Sequence, residues 1–262
     1  MACQSGSTYL LLAMTCEMDT TDLIDTGGAG PALVCLHGWC CRTGDFAAQV
    51  NLLGERYRVF VPDWIERIKR GDTPISLEAV CHDLASLLRR HGIKHPVFCG
   101  HSMGGFLAAS LANTKMVDCR AVIVMDSSIP LSIATQERYA EFIRRLQQGP
   151  YGEVFRSFVE QAFFLPCELG PIVESIVQGM MAQSPEIAMG LFADLASFGA
   201  RDLVSNIGVP LHLMVTACGH LDVAGVQAGK PDATASRLDD VGHFLTYFAA
   251  DRVCAAMEDA AR

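Results

Sequence analysis

The sequence predicts an α/β fold: a mostly parallel, twisted sheet flanked by helices, with a helical insert late in the chain. Three observations carry that expectation. Short, wholly apolar runs alternate with helical periods through the first half, the pattern of parallel strands joined by right-handed crossovers. A serine sits in a glycine-rich turn between one such run and an apolar helix start. After Pro130 the strand signals stop, only helical spacing persists to about residue 200, and strands then resume.

Taken in order, the first 30 residues read as a β-hairpin, with Thr8 to Met18 strand-like, Thr21 to Asp25 its partner and Gly27-Gly28-Ala29-Gly30 closing it. Pro31 to Leu36 is apolar throughout, as in a strand buried on both faces. Asp45 to Leu53 is amphipathic and helical, and Tyr57 to Pro62 is a second strand. Ser76 N-caps a helix reaching His91, with Leu77, Val80, Leu84, Leu87 and Leu88 on its apolar face. His95 to Cys99 and Arg120 to Asp126 are strands on either side of the helix that follows Met103. Glu137 to Gln147, Tyr151 to Phe164, Pro171 to Gln183 and Pro185 to Phe198 have helical periods and make the insert. Pro210 to Val215 and Ala235 to Leu238 return to strand, and Leu245 to Ala261 closes the chain as one helix. The organisation is therefore a core of residues 1–130 and 205–262, with 131–204 as a helical cap. An insert beyond a strand tip lies over the carboxyl edge of the sheet, where open α/β sheets form their sites. We read it as a lid over an apolar pocket; the plainer reading is helices packing their own core.

Composition narrows the function. The chain has 262 residues, half of them hydrophobic, and a net charge of −9. A polyanion would be repelled, and Arg67 to Arg70 is too short a basic run to offset that, so nucleic acid is excluded as a partner. No run approaches the roughly 20 apolar residues of a membrane helix. Tyr9 to Met14 lacks the basic residues of a signal peptide. Eleven scattered cysteines with no C-x-x-C pair read as reduced thiols, which points to a soluble, cytoplasmic protein. The adjacent pair Cys40-Cys41 lacks nearby ligands at metal spacing. No cofactor or metal is expected.

The chemistry centres on Gly100-His101-Ser102-Met103-Gly104. A serine on a tight strand-to-helix turn is pushed clear of the sheet, and the helix N-terminus behind it offers free N–H groups to a developing oxyanion. Serine needs a base, and His243, between Gly242 and Phe244 after the last strand, fits that role. A carboxylate must orient the imidazole. Asp126 at the strand tip after the serine turn and Asp222 after the Pro210 strand both qualify. Histidines 82, 91, 95 and 101 read as structural, and His220 stays undecided. After the Leu33 strand comes His37-Gly38-Trp39-Cys40, where the N–H of Trp39 joins that of Met103 as an oxyanion hole. His37 reads as a loop-pinning residue, and the Trp39 ring as part of an acyl pocket.

Together, His37-Gly38-Trp39, Pro62-Asp63, the Ser102 motif with Gly105, Asp126, the helical insert and Gly242-His243-Phe244 make the chain resemble the α/β-hydrolase superfamily. The resemblance spans about residues 30–130 and 205–262. It implies the α/β-hydrolase fold with Ser102 as nucleophile, His243 as base, an aspartate as orienter, and Trp39 and Met103 as oxyanion donors. Two departures stand out. Many relatives follow the Pro-Asp with a glycine-rich Arg-Gly-x-Gly-x-Ser loop, whereas Asp63 is followed here by Trp64-Ile65-Glu66-Arg67. The usual acid position after the strand opening at Pro210 falls on Gly219, short of Asp222, which favours Asp126. The Gly38-Trp39-Cys40 segment and residues 57–64 are also similar to cofactor-free dioxygenases that open quinolone-type rings.

Two enzyme functions follow. The first is acyl transfer through an acyl-Ser102 intermediate on a hydrophobic or aromatic ester or thioester. It ends on water (esterase, thioesterase) or on another acceptor, with the acyl group supplied by an acyl carrier protein. The second is a cofactor-free dioxygenase in which His243 and an aspartate deprotonate a heteroaromatic ring. A non-catalytic binding protein on the same fold is a third reading, against which the complete Ser/His/Asp set argues.

Overall fold

The computed structural model describes residues 23–198 and 203–262. Among the described residues, seven strands form one sheet in the order β1-β3-β2-β4-β5-β6-β7. They are β1 (Leu23–Asp25), β2 (Ala32–Leu36), β3 (Arg58–Pro62), β4 (Val97–His101), β5 (Ala121–Met125), β6 (Leu211–Thr216) and β7 (Thr234–Leu238). All neighbours run parallel except β1, which pairs antiparallel with β3. The chain is thus an α/β protein with a mostly parallel sheet. Leu23 to Asp25 therefore pairs with β3, while the strand expected over Thr8 to Met18 lies outside the described residues.

Why the central strands are apolar at every position is visible in the packing. Val34, Leu36, Phe98, Val122 and Val124 enter one core cluster, while Leu33, Cys35, Val97, Cys99, Ile123 and Met125 enter another. Alternate residues point to opposite faces, so a strand covered on both sides needs an unbroken apolar run. Helices α1 (Ala47–Leu53) and α11 (Ala250–Ala261) cover the second cluster through Leu53, Val253 and Met257. Helices α3 (Leu77–Arg90) and α4 (Met103–Asn113) cover the first through Leu84, Leu88, Phe106 and Leu107.

Between β5 and β6 the described residues form four helices: α5 (Ile133–Gln148), α6 (Tyr151–Phe163), α7 (Pro171–Met181) and α8 (Pro185–Ser197). Their buried Phe142, Phe155, Val177 and Phe192 join the first cluster. The helical layer is thus continuous with the sheet's own core.

Three local features depart from the sequence reading. Residues 64–69 form a helix, α2 (Trp64–Lys69), because Asp63 caps it by accepting the Glu66 N–H at 2.9 Å. A second short helix, α9 (Val223–Gly229), follows β6 and is capped by Asp222. The last helix is split into α10 (Leu245–Phe248) and α11, with Ala249 between them at φ −136°. At that break the Gln49 side-chain amide donates to the Thr246 carbonyl at 3.1 Å, taking the acceptor that a continuous helix would offer residue 250.

Candidate active site

Ser102 is the single residue between β4 and α4, at φ 54° and ψ −123°. A left-handed φ at a non-glycine residue costs about 1–3 kcal/mol and persists only where its surroundings hold it. Here the Ser102 N–H donates to Met125 O at 2.9 Å, and Ser102 O accepts from the Gly105 N–H at 2.8 Å. The flanking glycines are required by close backbone approach. A Cβ at Gly100 would lie 2.2 Å from the Gly104 carbonyl oxygen, and one at Gly104 would lie 2.0 Å from Leu36 O. Helix α4 therefore begins pressed against the ends of β4 and β2.

His243 lies on the loop between β7 and α10, buried with 3% exposure. Its Nδ1–H donates to Asp126 Oδ2 at 2.8 Å, which leaves Nε2 as the basic nitrogen. Asp126 follows β5 with φ 43° and is fully buried. Burial pushes its carboxyl up, but the hydrogen bond and charge of His243 outweigh that and hold it at about 2. Asp222 is exposed, and its carboxylate accepts the Gly225 N–H at 3.0 Å as the α9 cap. Of the two aspartates, Asp126 is the one bonded to the imidazole.

The two loops meet through a residue the sequence reading set aside. His101 Nε2–H donates to the His243 carbonyl at 2.8 Å, with ring centroids 4.6 Å apart. The residue before Ser102 thus grips the backbone of His243. From the helical layer, Phe163 O accepts the His243 N–H at 2.8 Å and Glu168 accepts the Gly242 N–H at 2.7 Å. A Cβ at Gly242 would meet Glu168 and the Phe163 carbonyl, so glycine is needed before the histidine. No motif in the sequence marks His101, Phe163 or Glu168 for this task, because their partners are remote in the chain.

The loop after β2 approaches from the other side. A Cβ at Gly38 would sit 3.0 Å from Ser102 Cβ, so the backbone there borders Ser102. Met103 opens α4, where helix N–H groups have no intrahelical acceptor. The Trp39 indole donates to Ala188 O of α8 at 2.8 Å and packs on Phe192 and Phe155 at 4.6 and 5.0 Å. His37 is fully buried and stacks on Trp64 at 5.1 Å. Cys40 and Cys41 are buried, and burial pushes both thiols well above their ordinary value, so they pack as small apolar groups.

His220 sits beside the imidazole of His243, edge-on at 4.9 Å. Burial, then the charge of His243, pushes it down to about 4. Asp126, His220 and His243 offer ligand atoms within 4.8 Å of one another, the arrangement among the described residues that could hold a metal ion.

Ser102, His243, Trp39 and Met103 all line one cavity of about 510 Å³, within the range of small-molecule sites. Its walls combine Phe106, Phe158, Phe163, Met180 and Phe192 from α4 and the helical layer with polar groups such as Ser127, Ser128 and Gln161. A second cavity of about 520 Å³ lies at the β6–β7 edge, but His212 there spends its ring nitrogens on Thr234 and Ser236, at 2.8 and 3.0 Å.

A sequence profile of the alpha/beta hydrolase family matches residues 33–256. A pimeloyl-[acyl-carrier protein] methyl ester esterase of Xanthomonas campestris pv. campestris is 26% identical over 250 residues, covering 89% of this chain and 96% of the relative. Karrikin insensitive 2 receptor IA of Petunia hybrida is 24% identical over 207 residues, covering 71% and 73%. The chain spans about half (55%) of the length of a second petunia receptor, Karrikin insensitive 2 receptor B. Among solved structures, the enol-lactonase of Burkholderia xenovorans LB400 superposes with a TM-score of 0.75 at 16% identity, covering 91% of this chain and 95% of that one. With a profile match across most of its length and the sheet, turn and strand-end loops described above, the chain belongs to the alpha/beta hydrolase family.

Proposed function

We propose that this enzyme transfers acyl groups through an acyl-Ser102 intermediate. His243 Nε2 takes the Ser102 proton as its oxygen attacks the carbonyl, and Asp126 keeps the ring in the tautomer that allows this and stabilises the imidazolium. The N–H groups of Trp39 and Met103 hold the oxyanion, each worth about 3 kcal/mol of barrier. His243 then delivers the proton to the leaving alcohol or thiol and activates the acceptor, water or a second nucleophile. The observation that carries the reading is the 2.8 Å bond from His243 to Asp126, on a loop tied by His101 to the turn bearing Ser102.

The helices over 131–204 act as the lid of the cavity, and the phenylalanines on its walls suit a hydrophobic or aromatic acyl group. A carrier-borne ester or thioester fits the mouth. Arg138 and Arg145 line it from one exposed face of α5, two cations in a chain of net charge −9. The Xanthomonas relative, by its name, acts on an acyl-carrier-protein ester. Intact-mass measurement after incubation with a panel of acyl thioesters and esters tests the mechanism. An acyl adduct that maps to Ser102 is expected and identifies the acyl group. Turnover of an ester with no adduct, even on rapid quenching, overturns it.

A further inference from the structure

His220 borders the proposed base, yet acyl transfer gives it no task. Its Nε2–H donates to Ala162 O at 2.9 Å, which fixes the tautomer and leaves Nδ1 with an open lone pair. That is the posture of a ligating histidine, which donates its other ring N–H to a carbonyl or carboxylate. Asp126, His220 and His243 come from the loops after β5, β6 and β7, so the carboxyl edge of the sheet assembles them from three distant parts of the chain. Their ligand atoms already lie within 4.8 Å of one another. Tetrahedral coordination at zinc's usual bond lengths separates ligand atoms by roughly 3.3 Å, so a bound ion would draw these groups inward. Two imidazoles and a carboxylate are a donor set of borderline softness, suited to Zn²⁺ and its first-row neighbours rather than to Mg²⁺ or Ca²⁺.

We propose that Asp126, His220 and His243 form an inhibitory site for a divalent transition-metal ion, Zn²⁺ foremost, entered from the cavity that His220 and His243 line. Three protein ligands leave the fourth position to water. A bound ion engages the Asp126 carboxylate and a His243 nitrogen. The imidazole then loses its orienting partner and cannot accept the Ser102 proton. Reversible metal binding thus switches the enzyme off. The inhibition rests on the serine mechanism above, whereas the metal site does not.

The test is a calorimetric titration of the full chain with Zn²⁺, with Co²⁺ followed by absorbance in parallel. Thiolate ligands add an intense charge-transfer band to bound cobalt, which separates binding at the cysteines from nitrogen and oxygen ligation. One ion per chain without that band is expected, and Ser102→Ala should bind it equally well. His220→Gln and His220→Asn should each weaken binding by at least about tenfold, the least that loss of even an outer-shell partner commonly costs. The Zn²⁺ concentration that halves turnover should rise by the same factor, each variant being compared with its own metal-free rate. No binding by the parent chain, a thiolate band, or unchanged affinity in both variants overturns the site. Metal binding that depends on His220 in a chain with no acyl-transfer activity would instead sink the serine mechanism and leave the site standing.

Discussion

Two buried histidines near the carboxyl ends of the strands, His243 and His37, each face an aspartate, but the pairs are built differently. His243 donates to Asp126 at 2.8 Å, its ring lines the cavity, and the carboxylate is fully buried. His37 lies 3.5 Å from Asp63, and its Nε2 makes no hydrogen bond among the described residues. Asp63 spends an oxygen on the Glu66 N–H at 2.9 Å, and the His37 ring is clamped against Trp64, whose indole donates to His37 O at 3.1 Å. One pair is a tight dyad whose imidazole lines a cavity that Ser102 also lines. The other pins a loop. Residue types and proximity alone do not separate them; alignment and access do.

The largest effect expected is from Ser102→Ala, which removes the proposed nucleophile while keeping both histidine pairs. By analogy with other serine enzymes kcat should fall by roughly 10⁵-fold or more. Near-normal turnover in this variant would instead favour proton abstraction by His243 alone, the dioxygenase chemistry. Next comes the direct contrast of the pairs. Asp126→Asn should lower kcat by about 10⁴-fold by leaving the imidazole in the wrong tautomer. Asp63→Asn keeps a capping oxygen and should cost under about tenfold by the same reasoning, since no proton is moved there. Equal losses in the two variants would erase the distinction.

A third measurement sharpens the comparison through pH. Burial, then the charge of His243, pushes His101 from 6.5 down to about 3, so it is neutral in the fold. The unfolded chain takes up that proton below pH 6.5, so the folded state loses stability as pH falls from 6.5 towards 3, by up to about 1.4 kcal/mol per pH unit. Asp126 acts lower: its stabilising contribution is present above about 3.8 and is lost as pH falls through about 2. Urea unfolding of His101→Gln, which keeps a donor for the His243 carbonyl, should show a flatter decline between pH 6 and pH 4 than the parent (roughly one proton less in the slope). An unchanged slope would place the proton uptake elsewhere. Smallest of all, Asp222→Ala should cost about 1 kcal/mol of stability through its lost helix cap and leave kcat within a few-fold.

Much of this was legible in the chain. The runs at 32–36, 97–101 and 121–125 announce strands because both faces of the sheet are covered, and burial on both faces leaves an unbroken apolar signature. Gly100 and Gly104 are readable because a Cβ at either would collide with backbone a few residues away or on the adjacent strand. Harder to read was α2, whose start signal, Asp63 followed three residues on by Glu66, lies where many relatives carry a glycine-rich loop instead. The break at Ala249 depends on Gln49, nearly two hundred residues earlier, reaching the Thr246 carbonyl. Spacing from Pro210 favoured Asp126 over Asp222, but only their hydrogen bonds show which of the two faces His243.

The amino-acid order by itself determined the parallel strands and the strained serine turn, because each depends on steric rules acting over a few residues, and it singled out Ser102 and His243 for the proposed chemistry. Which aspartate faces the base, that His101 clasps the His243 loop, that Phe163 and Glu168 hold it from the helical layer, and that His220 completes a ligand cluster were decided only by tertiary structure. Those contacts join loops from separate strand ends, and the distances between such loops follow from how the twisted sheet and its covering helices pack rather than from any local preference of the chain.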